Sequence, residues 1–218
     1  MRDGQKYGIY KEWNDDGDLL KEGYYKSGLM SKKWKFYYEN GKIKGSGQYF
    51  EGDGSNLGDT GIPRNGRTNM WEFWYDNGQK SQKVNYKNGQ LNGLSIYWYE
   101  NGNKDFESTY KNGFLDGAFT AWNENGNIRS KGFHKNDTLD GLFTMWYKNG
   151  IKKLEGNLKK GVKVGSWKYW DENGNKYEGE VDNENYKDGK FLEFSEYELF
   201  KVIGYFEKRN GKRDGPYI

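Results

Sequence analysis

The sequence predicts an all-β fold, a single-layer antiparallel sheet of about eight stacked 24-residue β-hairpin repeats that forms an open solenoid. Glycine and aromatic residues recur with a period of 24, and many repeats contain two glycine-bearing turns. The composition agrees, because 32 residues are glycine, 2 are proline and 18% are aromatic. Aromatic side chains bury large areas, so we expect an ordered chain despite its mean hydropathy of -1.21.

The period divides the chain into eight repeats, with one insertion of 13 residues after the second start. The insertion is predicted to form a loop at about 53–68. We expect residues 1–218 to form one array without a second domain. The repeats start at Gly8, Lys32, Asn69, Gly93, Gly117, Gly141, Gly165 and Gly189.

Each repeat carries aromatic residues at two fixed slots, the third residue in seven repeats and the sixth in all eight. A first turn such as Asn77-Gly78 follows the sixth slot, and a second turn such as Asn88-Gly89 closes many repeats. Asn-Gly between strands is typical of a type I′ turn, in which both residues have positive φ. Two turns in 24 residues leave room for two strands of about six to eight residues, so each repeat is predicted to be one hairpin.

The segment Gly-Leu-Ser-Ile-Tyr-Trp-Tyr-Glu-Asn-Gly at 93–102 resembles the bacterial variant of the MORN repeat. The resemblance extends from Gly8 to Gly215 and implies hairpins stacked in one sheet. For function it implies a binding scaffold, since many bacterial proteins with this repeat carry an antitoxin or immunity label. Standard MORN repeats have been linked to phospholipids and protein assembly, but their Tyr-x-Gly and His-Gly signatures are mostly absent here.

Residues for catalysis are sparse. The chain has no cysteine, and its one histidine, His134, fills a slot that holds tyrosine in other repeats, which favours a packing role. No nucleophile elbow or phosphate loop occurs. We therefore predict no enzymatic activity, no catalytic residue, no metal site and no cofactor.

The insertion is the one non-repetitive segment. Asp53, Ser55 and Asp59 faintly resemble a calcium loop, but Leu57 stands where an oxygen ligand is needed. The insertion is predicted to be either a flexible polar loop or a loop that contacts a partner.

Strand alternation places the third, fifth and seventh residues of a repeat on one face. The third and sixth slots are nearly constant and are interpreted as structural, whereas the fifth and seventh slots vary, as a contact surface does. Rows of Tyr, Trp and Met favour protein contacts. The predicted binding face contains Phe73, Tyr75, Tyr97, Tyr99, Met145, Tyr147 and Tyr169.

The predicted partner is a protein, with an antitoxin-like or immunity-like role. Two alternatives stay open: a carbohydrate or cell-surface module, because aromatic rows stack on sugar rings, and a module for phospholipid head groups. The net charge of +3 is too balanced to predict nucleic acid. Acidic residues before the first turns and lysines before the second turns predict a ribbon with oppositely charged edges.

An exposed end hairpin also predicts edge-to-edge pairing of two copies. The sequence contains no signal peptide or apolar stretch long enough to span a membrane, which leaves both the cytoplasm and export with a removed signal open.

Overall fold

The computed structural model describes residues 4–181, 189–194, 200–209 and 212–214, which form strands and turns without a helix. The chain divides into two compact units, Met1–Leu115 and Asp116–Ile218, which we call the N-terminal and C-terminal units. Within each unit, antiparallel hairpins pair into an open sheet. The predicted all-β hairpin repeat is therefore confirmed.

Each repeat contributes an antiparallel pair of strands. The N-terminal unit contains β1 (Gly8–Trp13), β2 (Leu19–Lys26), β3 (Leu29–Tyr37), β4 (Ile43–Gly52), β5 (Arg67–Trp74), β6 (Lys80–Lys87), β7 (Gln90–Leu91), β8 (Gly93–Trp98) and β9 (Lys104–Lys111). The division between the units falls within β10 (Phe114–Trp122). The C-terminal unit continues with β11 (Ile128–Lys135), β12 (Thr138–Leu139), β13 (Gly141–Trp146), β14 (Lys152–Lys159), β15 (Val162–Trp170), β16 (Lys176–Val181), β17 (Gly189–Phe194), β18 (Val202–Arg209) and β19 (Lys212–Asp214).

The two turns of a repeat differ in backbone conformation. At the second turn both central residues have positive φ, 51° at Asn88 and 75° at Gly89, so the type I′ prediction is correct there. At the first turn only the glycine does, with a φ of 93° at Gly78. The type I′ prediction is wrong for this turn, because the Oδ1 atom of Asn77 instead accepts a hydrogen bond from the backbone N–H of Gln79 at 2.8 Å.

The first slot of the repeat requires a left-handed backbone. Its φ is positive in all seven repeats that start between residues 8 and 165, including the two that lack glycine, with 61° at Lys32 and 56° at Asn69. Glycine adopts this conformation without steric cost, and asparagine tolerates it. The glycine period of the sequence is therefore a period of backbone conformation.

The third and fifth residues of each repeat lie on one face of the sheet, which we call the inner face. Trp34, Trp71 and Trp167 occupy third slots and are each 0% exposed. Each indole covers a glycine of the preceding repeat, respectively Gly23, Gly47 and Gly156.

The exception to this rule follows the same steric logic. Val84 replaces the glycine, and the third residue of the next repeat is Ser95 instead of an aromatic residue. A small residue in one slot thus allows a larger one in its neighbour.

Residues outside the strands cover part of the inner face in each unit. In the N-terminal unit Ile62 of the insertion is 1% exposed and belongs to the core. In the C-terminal unit the ring of Phe200 stacks on Phe143, with ring centroids 4.1 Å apart. The single layer of strands is therefore supplemented where the aromatic face would otherwise meet water.

One junction in the C-terminal unit departs from the antiparallel pattern. Strands β16 and β17 run parallel, with Glu180 opposite Phe191 and Val181 opposite Leu192. The preceding hairpin also lacks the bulge of the other repeats, since β15 and β16 pair without a register shift from Ser166 to Trp170.

Candidate functional site

The predicted binding face includes one residue that the structure buries. Phe73 is 1% exposed and its ring stacks on Trp71 at a centroid distance of 5.7 Å. The side chains of Phe73 and Ile62 both converge over Gly45. Phe73 is therefore inaccessible to a partner, because the insertion covers the part of the inner face on which it lies.

Tyr75 and Tyr147, at the seventh slot, connect consecutive repeats. The hydroxyl of Tyr75 donates to the carbonyl oxygen of Trp98 at 2.6 Å, and that of Tyr147 donates to Trp170 at 2.9 Å. Tyr38 makes the same bond to Trp74 at 2.8 Å. Burial raises the pKa of Tyr147, which keeps its hydroxyl a donor. These hydroxyl groups therefore hold repeats together.

The turn asparagines extend this connection. The side-chain amide of Asn77 donates to the carbonyl oxygen of Glu100 at 3.0 Å, and that of Asn40 donates to Asp76 at 3.3 Å. We call the tyrosine and asparagine bonds together the ladder. Every ladder bond named here runs from one repeat to the next along the chain.

The other predicted site residues are partly buried. Tyr97 packs against the core of the N-terminal unit, and burial raises the pKa of its hydroxyl. Tyr99, Met145 and Tyr169 are half-buried. The seven residues are divided between the two units, and the fifth-slot members share a face with the buried third slot. Variation at the fifth slot reflects packing as well, since Ala121 there is 3% exposed.

The opposite face carries the second, fourth and sixth residues of the repeats, and we call it the outer face. Its second slots hold exposed apolar side chains in both units, namely Ile9, Met70, Leu94 and Leu142. This row was not among the predicted site residues, although the second slot alternates with the buried third slot and must point to the other face.

Four exposed apolar side chains lie on neighbouring strands of the C-terminal unit, with the exposed Asn157 between Leu142 and Val164. Leu142 pairs with Asn157, which pairs with Val164 on the next strand, while Phe133 lies beside Gly141. Leu142 is 57% exposed and Val162 is 65% exposed. We call this group the outer patch: Phe133, Leu142, Val162 and Val164.

The middle of the outer face is polar. Lys11 and Glu22 form an ion pair at 3.2 Å, and Lys152 and Glu155 form one at 2.7 Å. Apart from the exposed Trp13, the sixth-slot aromatic residues whose burial is described are half-buried beside these pairs. The amine of Lys152 lies 5.2 Å from the ring centroid of Trp170. Paired charges leave this strip without a strong electrostatic preference.

The two turn edges differ in charge, as the sequence predicts. The carboxylates before the first turns are exposed, as are the lysines before the second turns. The acidic set is Asp15, Glu39, Asp76, Glu100, Glu124 and Glu172, and the basic set is Lys26, Lys87, Lys111, Lys135 and Lys159. In each unit the two sets lie at opposite ends of the strands.

The insertion is a folded loop that runs from residue 53 to 66. The guanidinium of Arg67, which is 2% exposed, donates to the carbonyl oxygens of Ile62 at 2.7 Å and Pro63 at 2.9 Å and to the hydroxyl of Tyr86 at 2.8 Å. The hydroxyl of Tyr49 also donates to Pro63. These bonds fix the loop on the inner face, in contrast to the flexible polar loop, which is one of the two predicted alternatives.

His134 has the packing environment that the sequence predicts. Its ring lies 4.6 Å from that of Phe119, and burial lowers its pKa while Asp137 opposes the shift. Among the described residues, no three His, Asp or Glu side chains converge on a metal position. The described part of the chain also has no helix long and apolar enough to cross a membrane.

Comparison with protein families gives a match to the repeats. The family model of the MORN repeat variant matches residues 6–27, 31–51, 67–88, 91–112 and 115–136, which is half of the chain. No curated protein matches the sequence. The antiparallel strand pairs continue beyond the last matched segment, from β13 with β14 to β17 with β18.

Proposed function

Because the chain belongs to the MORN repeat variant family, we propose that it is a non-catalytic scaffold that binds another protein through the outer patch. The cluster of exposed apolar side chains on neighbouring strands of the C-terminal unit supports this proposal. Clustered apolar exposure on an ordered sheet is typical of interaction surfaces. Repeats of this family generally bind rather than catalyse, which agrees with the sparse catalytic residues.

The chemistry of the outer face favours a protein over the two alternatives. Sugar rings need flat, exposed aromatic platforms, whereas the described sixth-slot rings are half-buried except Trp13. Anionic head groups need unpaired cations, whereas Lys11, Lys35 and Lys152 in the middle strip form ion pairs with glutamates. Aliphatic side chains such as Leu142 and Val162 match the apolar core of a protein interface.

A capture experiment with three baits tests the proposal. The full chain, the variant Leu142→Asp and the control Asn136→Asp are used to capture proteins from a lysate of the organism of origin. Asn136 is an exposed turn residue with positive φ, where aspartate is tolerated, so the control adds the same charge away from the patch. We expect one protein to be retained stoichiometrically by the full chain and the control, and at least about tenfold less by Leu142→Asp.

Equal capture by all three baits would contradict the outer patch as the binding surface. Capture of no protein, with retention on a glycan array or on anionic vesicles, would replace the protein partner with one of the alternatives. An antitoxin-like role adds a further expectation, that the captured protein inhibits growth and that the full chain neutralises it while Leu142→Asp does not.

A further inference from the structure

The insertion loop creates a cavity on the inner face of the N-terminal unit. We propose that this cavity binds a ligand that carries a carboxylate next to an apolar group. The cavity has a volume of about 370 Å³. It is separate from the outer patch and goes beyond the proposed function, since it supplies a ligand site that the repeats alone do not form.

The walls of the cavity are mainly apolar. Met30 and Phe36 are buried side chains of the sheet, and Ile62, Pro63 and Leu57 belong to the insertion loop. Leu57 is an apolar side chain of this wall that remains exposed, at 59%. A volume of this size is within the range of small-ligand sites, which are concave and mostly apolar.

The cavity is held open by bonds that need no ligand. The guanidinium of Arg67 binds the carbonyl oxygens of Ile62 and Pro63, two of the loop residues that line the cavity. At the base of the loop Gly52 and Gly66 touch so closely that a Cβ on Gly66 would stand 2.4 Å from the Cα of Gly52. A preformed site avoids the cost of ordering a loop on binding.

Lys44 supplies a cation at the cavity. Phe36 pairs with Gly45 and Tyr37 pairs with Ile43, so Lys44 is the extra residue of a β-bulge. Bulges redirect side chains, and the amine of Lys44 reaches the loop, where a Cβ on Gly61 would lie 3.6 Å from its Nζ. The amine lies 5.4 Å from the ring centroid of Tyr38, and within the described residues it makes no hydrogen bond or ion pair.

The other charged side chains near the cavity are paired or line a neighbouring cavity instead. Glu12 binds the amine of Lys21 at 3.0 Å and the hydroxyl of Tyr10 at 2.6 Å, and the Tyr10 bond, ahead of Lys21, lowers the pKa of Glu12. Glu39 and Asp76 line an adjoining cavity that shares Lys44 with this one, and neither residue lines the cavity under the loop. An anion that reaches Lys44 in this cavity therefore meets no unpaired carboxylate, and the apolar walls contact the rest of the ligand.

Two sources offer this chemistry: a free apolar acid and the C-terminus of a polypeptide that ends in an apolar residue. Titration calorimetry with the full chain distinguishes them. The probes are 4-phenylbutanoate, a hexapeptide that ends in leucine with a free carboxylate, and the same hexapeptide with an amidated end. We expect at least one of the two carboxylate probes to bind. We expect the amidated peptide to bind at least about tenfold more weakly than the peptide with a free carboxylate.

Three variants localise the binding. Lys44→Gln should weaken the carboxylate probe about tenfold or more, and Leu57→Ser should weaken it through loss of apolar contact. Both residues are surface-accessible, so circular dichroism should show an unchanged fold. The control Lys87→Glu, at an exposed turn, should leave binding unchanged. Equal affinity for the amidated peptide, no effect of Lys44→Gln, or no binding of any probe would overturn the proposal.

Discussion

The indole of Trp71 lies so close to Gly47 that a Cβ on that glycine would stand 2.1 Å from the Cδ2 atom of the ring. Gly47 and Trp34 pair with each other within the hairpin that precedes the strand of Trp71. The indole N–H of Trp71 donates to the carbonyl oxygen of Gln48, the neighbour of Gly47, at 3.0 Å. The core of the N-terminal unit is thus assembled from contacts between an aromatic residue of one repeat and the bare backbone of the repeat before it.

Substitution Gly47→Ala should destabilise the chain by about 1–3 kcal/mol, because the added methyl group overlaps the indole of Trp71. Urea unfolding followed by tryptophan fluorescence measures this loss. Val84 and Ser95 provide the matched control, since they show the same two slots filled in the opposite way. The double variant Gly47→Val with Trp71→Ser should therefore cost less than the sum of the two single changes, and additive costs would contradict the steric explanation.

Substitution Tyr75→Phe should lower the free energy of unfolding by about 1 kcal/mol, since it removes the ladder bond to the carbonyl oxygen of Trp98 and leaves that carbonyl without this donor. Tyr25→Phe is the control, because the hydroxyl of Tyr25 makes no hydrogen bond to the described part of the chain. Chemical denaturation of both variants measures the difference. Equal losses in the two would show that the ladder bond contributes nothing.

Substitution Arg67→Met should release the insertion loop, because it removes three charge-assisted hydrogen bonds to Ile62, Pro63 and Tyr86. We expect a loss of about 2–4 kcal/mol in stability. Hydrogen exchange should accelerate at residues 53–66 more than in β1 and β2. The control Arg64→Met changes an exposed arginine of the same loop. An unchanged exchange rate in the loop of Arg67→Met would contradict the anchoring role.

Alkaline pH should destabilise the chain partly through Tyr37. Burial, followed by the hydrogen bond that its hydroxyl donates to Glu22 at 2.8 Å, raises the pKa of Tyr37 to about 12. In the unfolded chain the pKa of tyrosine is about 10, so the contribution is complete below pH 10 and is lost as the pH rises toward 12. The free energy of unfolding, measured between pH 9 and about 12, should fall less steeply with pH for Tyr37→Phe than for the parent. Identical slopes would refute the shift.

The period of the sequence predicts the number and order of the hairpins, because a left-handed backbone at the first slot and tight turns restrict the residues that can stand there. The accessible face was harder to predict. Alternation places Phe73 on the same face as Trp71, but it does not say that a loop covers that face. Ile62 and Arg67 lie in a polar, glycine-rich segment whose composition is typical of an exposed loop, so their burial left no periodic signal. Lys44 leaves the alternation at a bulge, which the sequence pattern does not reveal.

The direction of the ladder has a consequence for synthesis. Tyr38 and Asn40 donate to the repeat that follows them, as do Tyr75 and Asn77. A polypeptide leaves the ribosome from its N-terminus, so each repeat emerges with its donors ready and its acceptors still to be translated. The most recently translated repeat therefore has not yet formed its ladder bonds. A pause in translation would leave this repeat without them until the next 24 residues have been translated.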